Sequence, residues 1–149
     1  MEDVMVRRDA RRILDCSEKI NRQLVSQVLS ELNKVKVSVG QYNLLSFLVD
    51  EGVCPMTKVA GCLYVTTSAV TAMADGLVRK KMIRRRRSRR DRRIVEIALT
   101  DKGWKIVAKI RRDVENFYIP ILKSLGKKDS QELVRLQEEM WRIMGRSEK

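Results

Sequence analysis

Along most of the chain, apolar residues return at three- and four-residue intervals, the spacing of helices that bury one face. Ile13, Cys16, Ile20, Leu24, Val28 and Leu32 carry it through the first long segment. A second helix is predicted to open at Ser38, because a serine N-cap followed three residues later by Gln41 makes a capping box, with Val37 and Tyr42 placed for a hydrophobic staple. Leu44, Leu45 and Leu48 continue it, and Gly52 is its expected stop. Pro55 suits the first turn of a third helix bearing Val59, Ala60 and Leu63. The stretch Tyr64-Val65-Thr66-Thr67-Ser68 offers hydroxyls suited to capping a fourth helix, whose apolar stripe is Val70, Met73, Ala74 and Leu77. Two short helices joined by so few residues suggest a helix-turn-helix.

The period then changes from helical to alternating. Val95, Ile97 and Leu99 read as a strand with one buried face, Met82 and Ile83 lead into its partner, and Ser88 to Asp91 becomes the tip of a two-stranded hairpin. Thr100 is the N-cap of a fifth helix, with Asp101 favourable at its positive end and Val107, Ile110, Val114, Phe117 and Ile121 on one side. Pro120 is expected to kink or interrupt this helix, since proline lacks an amide donor, and Gly126 to end it. A sixth helix is expected after Asp129, which with Glu132 forms a capping-type pair, and carries Leu133, Leu136, Met140, Ile143 and Met144. Long apolar stripes at both chain ends exceed what one small domain covers. They point to self-association, most simply a two-fold dimer.

Charge decides what the hairpin is for. Lys+Arg number 32 against 19 Asp+Glu, a net +13, and 44% hydrophobic content in 149 residues suits one folded domain. Between Arg79 and Arg93, eleven of fifteen residues are basic and one is acidic, so +10 of the +13 lies in this stretch. A hairpin edge so basic repels itself without counter-anions, and duplex phosphates are dense enough to exchange bound counterions for arginine. The fourth helix turns Ser68, Thr71, Ala72, Asp75 and Arg79 outward. Small hydroxyl- and methyl-bearing side chains suit close approach in a major groove.

Other chemistries find little support. With no histidine there is no Ser-His-Asp or Cys-His arrangement and no histidine metal site, and no glycine motif cradles a phosphate. The pairs Asp50/Glu51 and Glu138/Glu139 read as solvated helix surface. No cofactor or metal is expected. Cys16, Cys54 and Cys62 form no CxxC pair, and no secretory leader or long apolar segment is evident, so the expectation is a cytoplasmic, membrane-free protein with reduced thiols. Neighbouring carboxylates make Cys16 a core or interface residue rather than a reactive thiolate.

The order helix, helix, helix-turn-helix, basic hairpin, helix, helix resembles the MarR family of winged-helix transcriptional regulators over roughly residues 10 to 145. Val59-Ala60, Leu63, Val65, Val70-Thr71, Asp75 and Leu77 sit where that family places its helix-turn-helix residues. Asp91-Arg92-Arg93 followed by Leu99-Thr100-Asp101-Lys102-Gly103 is similar to its wing and LTxxG motif. Lys81 stands where a glycine commonly precedes the wing. The fold class implied is mainly α with a small β-hairpin wing: one unit over 1–149, with a winged helix-turn-helix DNA-binding lobe at 36–99 and dimerisation helices at 10–35 and 100–146. The resemblance implies double-stranded DNA as partner, contacted by Thr67, Ser68, Thr71, Ala72 and Arg79 on the helix and by Arg86, Arg87, Arg89, Arg90, Arg92 and Arg93 on the wing. Asp91 is implied to orient a neighbouring arginine, most simply Arg93, through a two-hydrogen-bond grip. Ile13, Ile20, Val114, Phe117, Leu133, Leu136 and Met140 are implied to form a homodimer interface. Many members also bind a small, often anionic or phenolic effector, for which no residue here identifies a site. The implied function is repression through a pseudo-palindromic operator. A nonspecific architectural or RNA-binding winged helix is the alternative.

Overall fold

The computed structural model describes residues 2–146. They form two compact units, divided between Arg112 and Asp113. The first unit contains α1 (Glu2–Lys34), α2 (Val39–Glu51), β1 (Cys54–Pro55), α3 (Met56–Cys62), α4 (Thr67–Arg79), β2 (Ile83–Arg87), β3 (Val95–Leu99) and the start of α5 (Asp101–Arg146). The capping box at Ser38 forms as its sequence dictates: Ser38 Oγ accepts from the Gln41 amide at 3.2 Å and Gln41 Oε1 from the Ser38 amide at 3.2 Å. Gly52 closes α2 with its amide on the Leu48 carbonyl.

The core of this lobe comes from every element around it. Leu44, Leu45 and Leu48 of α2 meet Val59 of α3, Val70, Ala74 and Leu77 of α4, and Ile83 and Ile97 of the strands, all buried. Val107 and Ile110 close it from α5. Burying each of the leucine, isoleucine and valine side chains contributes about 1.5–3 kcal/mol. That core fixes α4 against the sheet, so α4 and the wing present their polar faces from a rigid base.

Three helices of the lobe end alike. Lys36, Tyr64 and Lys81 follow α1, α3 and α4 with φ of 55°, 53° and 59°. The next amide in each case reaches back to a carbonyl five residues earlier: Val37 to Leu32, Val65 to Ala60 and Met82 to Leu77. Glycine is usual at this left-handed position. Lys81 therefore keeps the turn that a glycine would make, with an L side chain in it.

The wing is three-stranded rather than the two-stranded hairpin expected. β3 is central, with β2 antiparallel on one side (Ile83 opposite Leu99, Arg85 opposite Ile97, Arg87 opposite Val95) and β1 on the other, Cys54 opposite Ile97. Pro55 thus ends a strand and serves as the N-cap of α3 instead of lying in its first turn. Thr100 caps α5, accepting from the Gly103 amide at 3.2 Å, while its hydroxyl donates toward the Lys81 and Met82 carbonyls at 2.7 and 3.0 Å. A Cβ at Gly103 would lie 2.1 Å from the Met82 carbonyl oxygen. Only glycine lets α5 start this close to the wing base.

The second unit is the remainder of α5, and two expectations change there. Pro120 does not interrupt the helix; the break falls at Gly126, with φ 78° and ψ 168°. Proline removes one hydrogen bond from a helix turn whose surroundings are exposed, so water can replace it, whereas the Gly126 dihedrals are incompatible with any helix. Helix resumes at once, so Asp129 lies within the first turn after the break rather than ahead of it. Its charge still favours that positive end. Ser130 Oγ donates back across the break to the Leu122 carbonyl at 2.7 Å.

Candidate nucleic-acid interface

Thr66 starts α4: its Oγ accepts from the Ala69 amide at 3.2 Å and lies 3.0 Å from Ser68 Oγ. Apolar residues of α4 turn to the core, leaving Thr67, Ser68, Thr71, Ala72 and Arg79 at the surface, as expected of a reading face. Thr71 Oγ donates to the Thr67 carbonyl at 2.9 Å, which commits its hydrogen and leaves a lone pair and a methyl free. Such a face accepts hydrogen bonds and meets apolar groups better than it donates.

The wing tip is built from its own backbone. The Ser88 amide donates to the Ile94 carbonyl at 2.9 Å, and the Ile94 amide to the Asp91 carbonyl at 3.0 Å. Buried Ser88 accepts from the Arg90 amide at 3.3 Å. Asp91 Oδ1 accepts from the Arg93 amide at 2.9 Å, and Arg93 Nε is 4.0 Å from the same oxygen. The carboxylate thus holds the backbone of Arg93, and the expected two-hydrogen-bond grip on its guanidinium is absent.

The arginines divide by position. Arg86 Nε donates to Glu96 Oε2 at 3.0 Å, straight across the strands. That bond, helped by the Ser88 hydroxyl, holds the Glu96 carboxyl below its usual pKa. Arg85 donates to Asp75 Oδ1 at 2.6 Å and to the Thr71 carbonyl at 3.2 Å. Arg87 donates to the Arg92 carbonyl at 2.9 Å. Among the described residues Arg84, Arg89, Arg90 and Arg92 form no ion pair. Between the helix and the wing lies a cleft of about 300 Å³ lined by Met56, Thr57, Thr67, Thr71, Arg93, Ile94 and Val95. Hydroxyls of the helix and an arginine of the tip share it.

Sequence reading misses Arg85 and Glu96, whereas Thr66 lies in the hydroxyl stretch expected to cap α4 and does so. Arg85 is in phase with core-facing Ile83 and lies opposite Ile97, and that alternation is a usable signal. Ile13, Ile20, Leu133, Leu136 and Met140 are exposed, while Val114 and Phe117 are half-buried. Cys16 is exposed on α1 and so is not a core cysteine. Cys54 is buried, and desolvation raises its thiol pKa although Lys58 opposes the shift. Among the described residues no group of three or more His, Cys, Asp and Glu side chains could hold a metal, and no helix is long and apolar enough to cross a membrane.

A helix-turn-helix followed by a β-wing and flanked by long helices is a winged-helix architecture. The MarR family's model matches residues 37–95, the stretch from α2 through the wing. Among curated proteins the chain is similar to YpoP of Bacillus subtilis (strain 168), an HTH-type transcriptional regulator, with 34% identity over 93 residues. The match covers 60% of this chain and 66% of that relative, just under two thirds of its length. Its fold is similar to a MarR family protein from Bacillus stearothermophilus, with a TM-score of 0.84, 19% identity and coverage of 93% and 96% of the two chains. It is also similar to a point mutant of S. aureus MepR bound to an oligodeoxyribonucleotide, with a TM-score of 0.68, 20% identity and coverage of 87% and 95%.

Proposed function

We propose that this chain is a sequence-specific regulator of transcription that binds a pseudo-palindromic duplex site as a homodimer and represses by occupying promoter DNA. The observation that carries the reading is the adjacency of two unlike chemistries in one cleft: the hydroxyl-bearing face of α4 at Thr67 and Thr71, and Arg93 of the wing. A major groove about 12 Å wide admits such a helix, and arginines on a thin hairpin reach the phosphates or the narrow groove beside it. The 13 residues of α4 span roughly 20 Å, enough to cross the groove. The DNA-bound state of MepR and the naming of YpoP as a regulator support this reading. Exposed Ile13, Ile20, Leu133, Leu136 and Met140 supply the apolar surface that a second copy would cover. Action on promoter DNA implies a cytoplasmic protein.

Selection from a random duplex pool, at physiological salt with excess unrelated DNA, tests it. Recovery of an inverted repeat is expected, since a two-fold dimer reads two like half-sites about one helical turn apart. A single unrepeated site would overturn the dimeric part. No enriched motif at all would overturn specific regulation in favour of an architectural role.

A further inference from the structure

Four consecutive arginines, Arg84 to Arg87, form most of β2, and as sequence they are interchangeable. The strand separates them. Arg85 shares its face with Ile83 and lies opposite Ile97, both buried, so its side chain leaves the sheet toward α4. There the guanidinium fork is divided: Nη1 donates to Asp75 Oδ1 at 2.6 Å and Nη2 to the backbone carbonyl of Thr71 at 3.2 Å. With 32% of its side chain exposed, Arg85 is more covered than Arg86 or Arg93, at 46% and 95%.

Thr71 and Asp75 are one helical turn apart, and that turn contains Thr71 and Ala72 of the reading face. A planar fork with donors on two nitrogens can hold two acceptors in fixed relative positions; an ammonium, a point charge on a flexible stem, cannot. We propose that Arg85 is a positioning residue that clasps the wing to the reading turn of α4, fixing the angle at which helix and hairpin meet DNA. It acts through Thr71 and Asp75 and not by touching phosphate. The proposal rests on the DNA-binding reading above, and gives Asp75 a role as well. Its carboxylate sits on the helix that enters the groove, where an unpaired negative charge would repel the duplex, and Arg85 both cancels and uses it. Holding two reading elements in register before binding removes part of the ordering cost that binding would otherwise carry.

Two variants separate the clasp from its rivals. Arg85→Lys keeps the charge and loses the fork. The clasp predicts that its specificity ratio, operator over unrelated duplex, falls about tenfold, while nonspecific affinity and the salt slope stay as in the wild type. If Arg85 were a phosphate contact, lysine would serve nearly as well and the ratio would hold; if it were only structural, the melting temperature would drop with the ratio unchanged. Either result overturns the proposal. Asp75→Asn should lower operator affinity while raising nonspecific affinity, because the freed arginine adds charge without direction. Equal tightening on both duplexes would make Asp75 a mere repulsive charge and defeat the clasp. A third measurement needs no DNA: residual dipolar couplings of amides in α4 and the wing should fit one alignment in the wild type and require two in Arg85→Lys. Retention of one alignment in the variant contradicts the clasp even if the wild type selects no site, an outcome that by itself counts only against the DNA-binding reading.

Discussion

At the base of the wing, Arg85 and Arg86 are ion-paired with Asp75 and Glu96, whereas at its tip Arg89, Arg90 and Arg92 form no ion pair among the described residues. One residue type thus does two jobs within a dozen positions. Near the core a guanidinium has acceptors on both sides and gains from fixed geometry. At the exposed tip the one carboxylate, Asp91, is bonded to the Arg93 amide, and among the described residues Arg89, Arg90 and Arg92 make no ion pair, so their gain comes from releasing counterions when they approach an anionic backbone. The difference teaches that charge density alone does not locate a binding surface. What matters is which charges the fold leaves uncommitted.

The sharpest way to break the comparison is to remove the tip. Alanine at Arg89, Arg90 and Arg92 together should weaken binding to every duplex alike and lower the magnitude of the salt slope by about 0.9 for each phosphate no longer neutralised. Titrations across a salt series measure this, and a loss confined to one sequence would mean the tip reads bases. A smaller effect is expected at the single acid of the tip. Asp91→Ala frees the Arg93 amide and loosens the hairpin, so operator affinity should fall several-fold while nonspecific affinity holds or rises with the added positive charge. Paired affinities at one salt concentration decide the sign, and tighter operator binding would make Asp91 a passive charge.

Two further changes probe the base. Lys81→Gly replaces an L residue at φ 59° with the one residue that adopts it freely, and should stabilise the fold by about 1 kcal/mol in chemical denaturation. No gain would mean the Lys81 side chain contributes something that offsets its backbone. The smallest effect belongs to Glu96. Its carboxyl pKa is lowered in the folded state by Arg86 and then Ser88, so the stability it brings is present above the unfolded carboxylate value and is lost as pH falls through the folded one. Glu96→Gln should therefore melt slightly below the wild type at pH 7, and the two should converge once the pH has fallen below the lowered pKa of the folded Glu96 carboxyl. A gap that persists in acid would show that its origin is not ionic.

How much of the molecule is legible in its sequence follows from the range of each interaction. The capping box at Ser38 and Gln41 and the cap at Thr100 are legible because the partners are three residues apart and the geometry is local. Proline's missing donor is a property of the residue itself, which is why the sequence points to a break at Pro120. Gly126 prevails because its dihedrals leave the helix altogether. β1 is invisible because two residues cannot show alternation, and it forms only where β3 offers a second edge. The arginine run hides the Arg85 clasp for a related reason: Asp75 is ten residues away and across a turn. Only the phase of Arg85 with Ile83 and Ile97 hints at it.

The central claim is that α4 reads sequence while the wing tip supplies affinity. Affinities of the wild type, Thr71→Ala and Arg89→Ala for one selected operator and one unrelated duplex, each across a salt series, test it directly. Thr71→Ala should change preference at one or two base positions, at about 1 kcal/mol, with its salt slope unchanged. Arg89→Ala should weaken both duplexes alike and lower the magnitude of the slope by about 0.9. Equal losses on operator and unrelated DNA for both variants, with the same slope, would contradict the account.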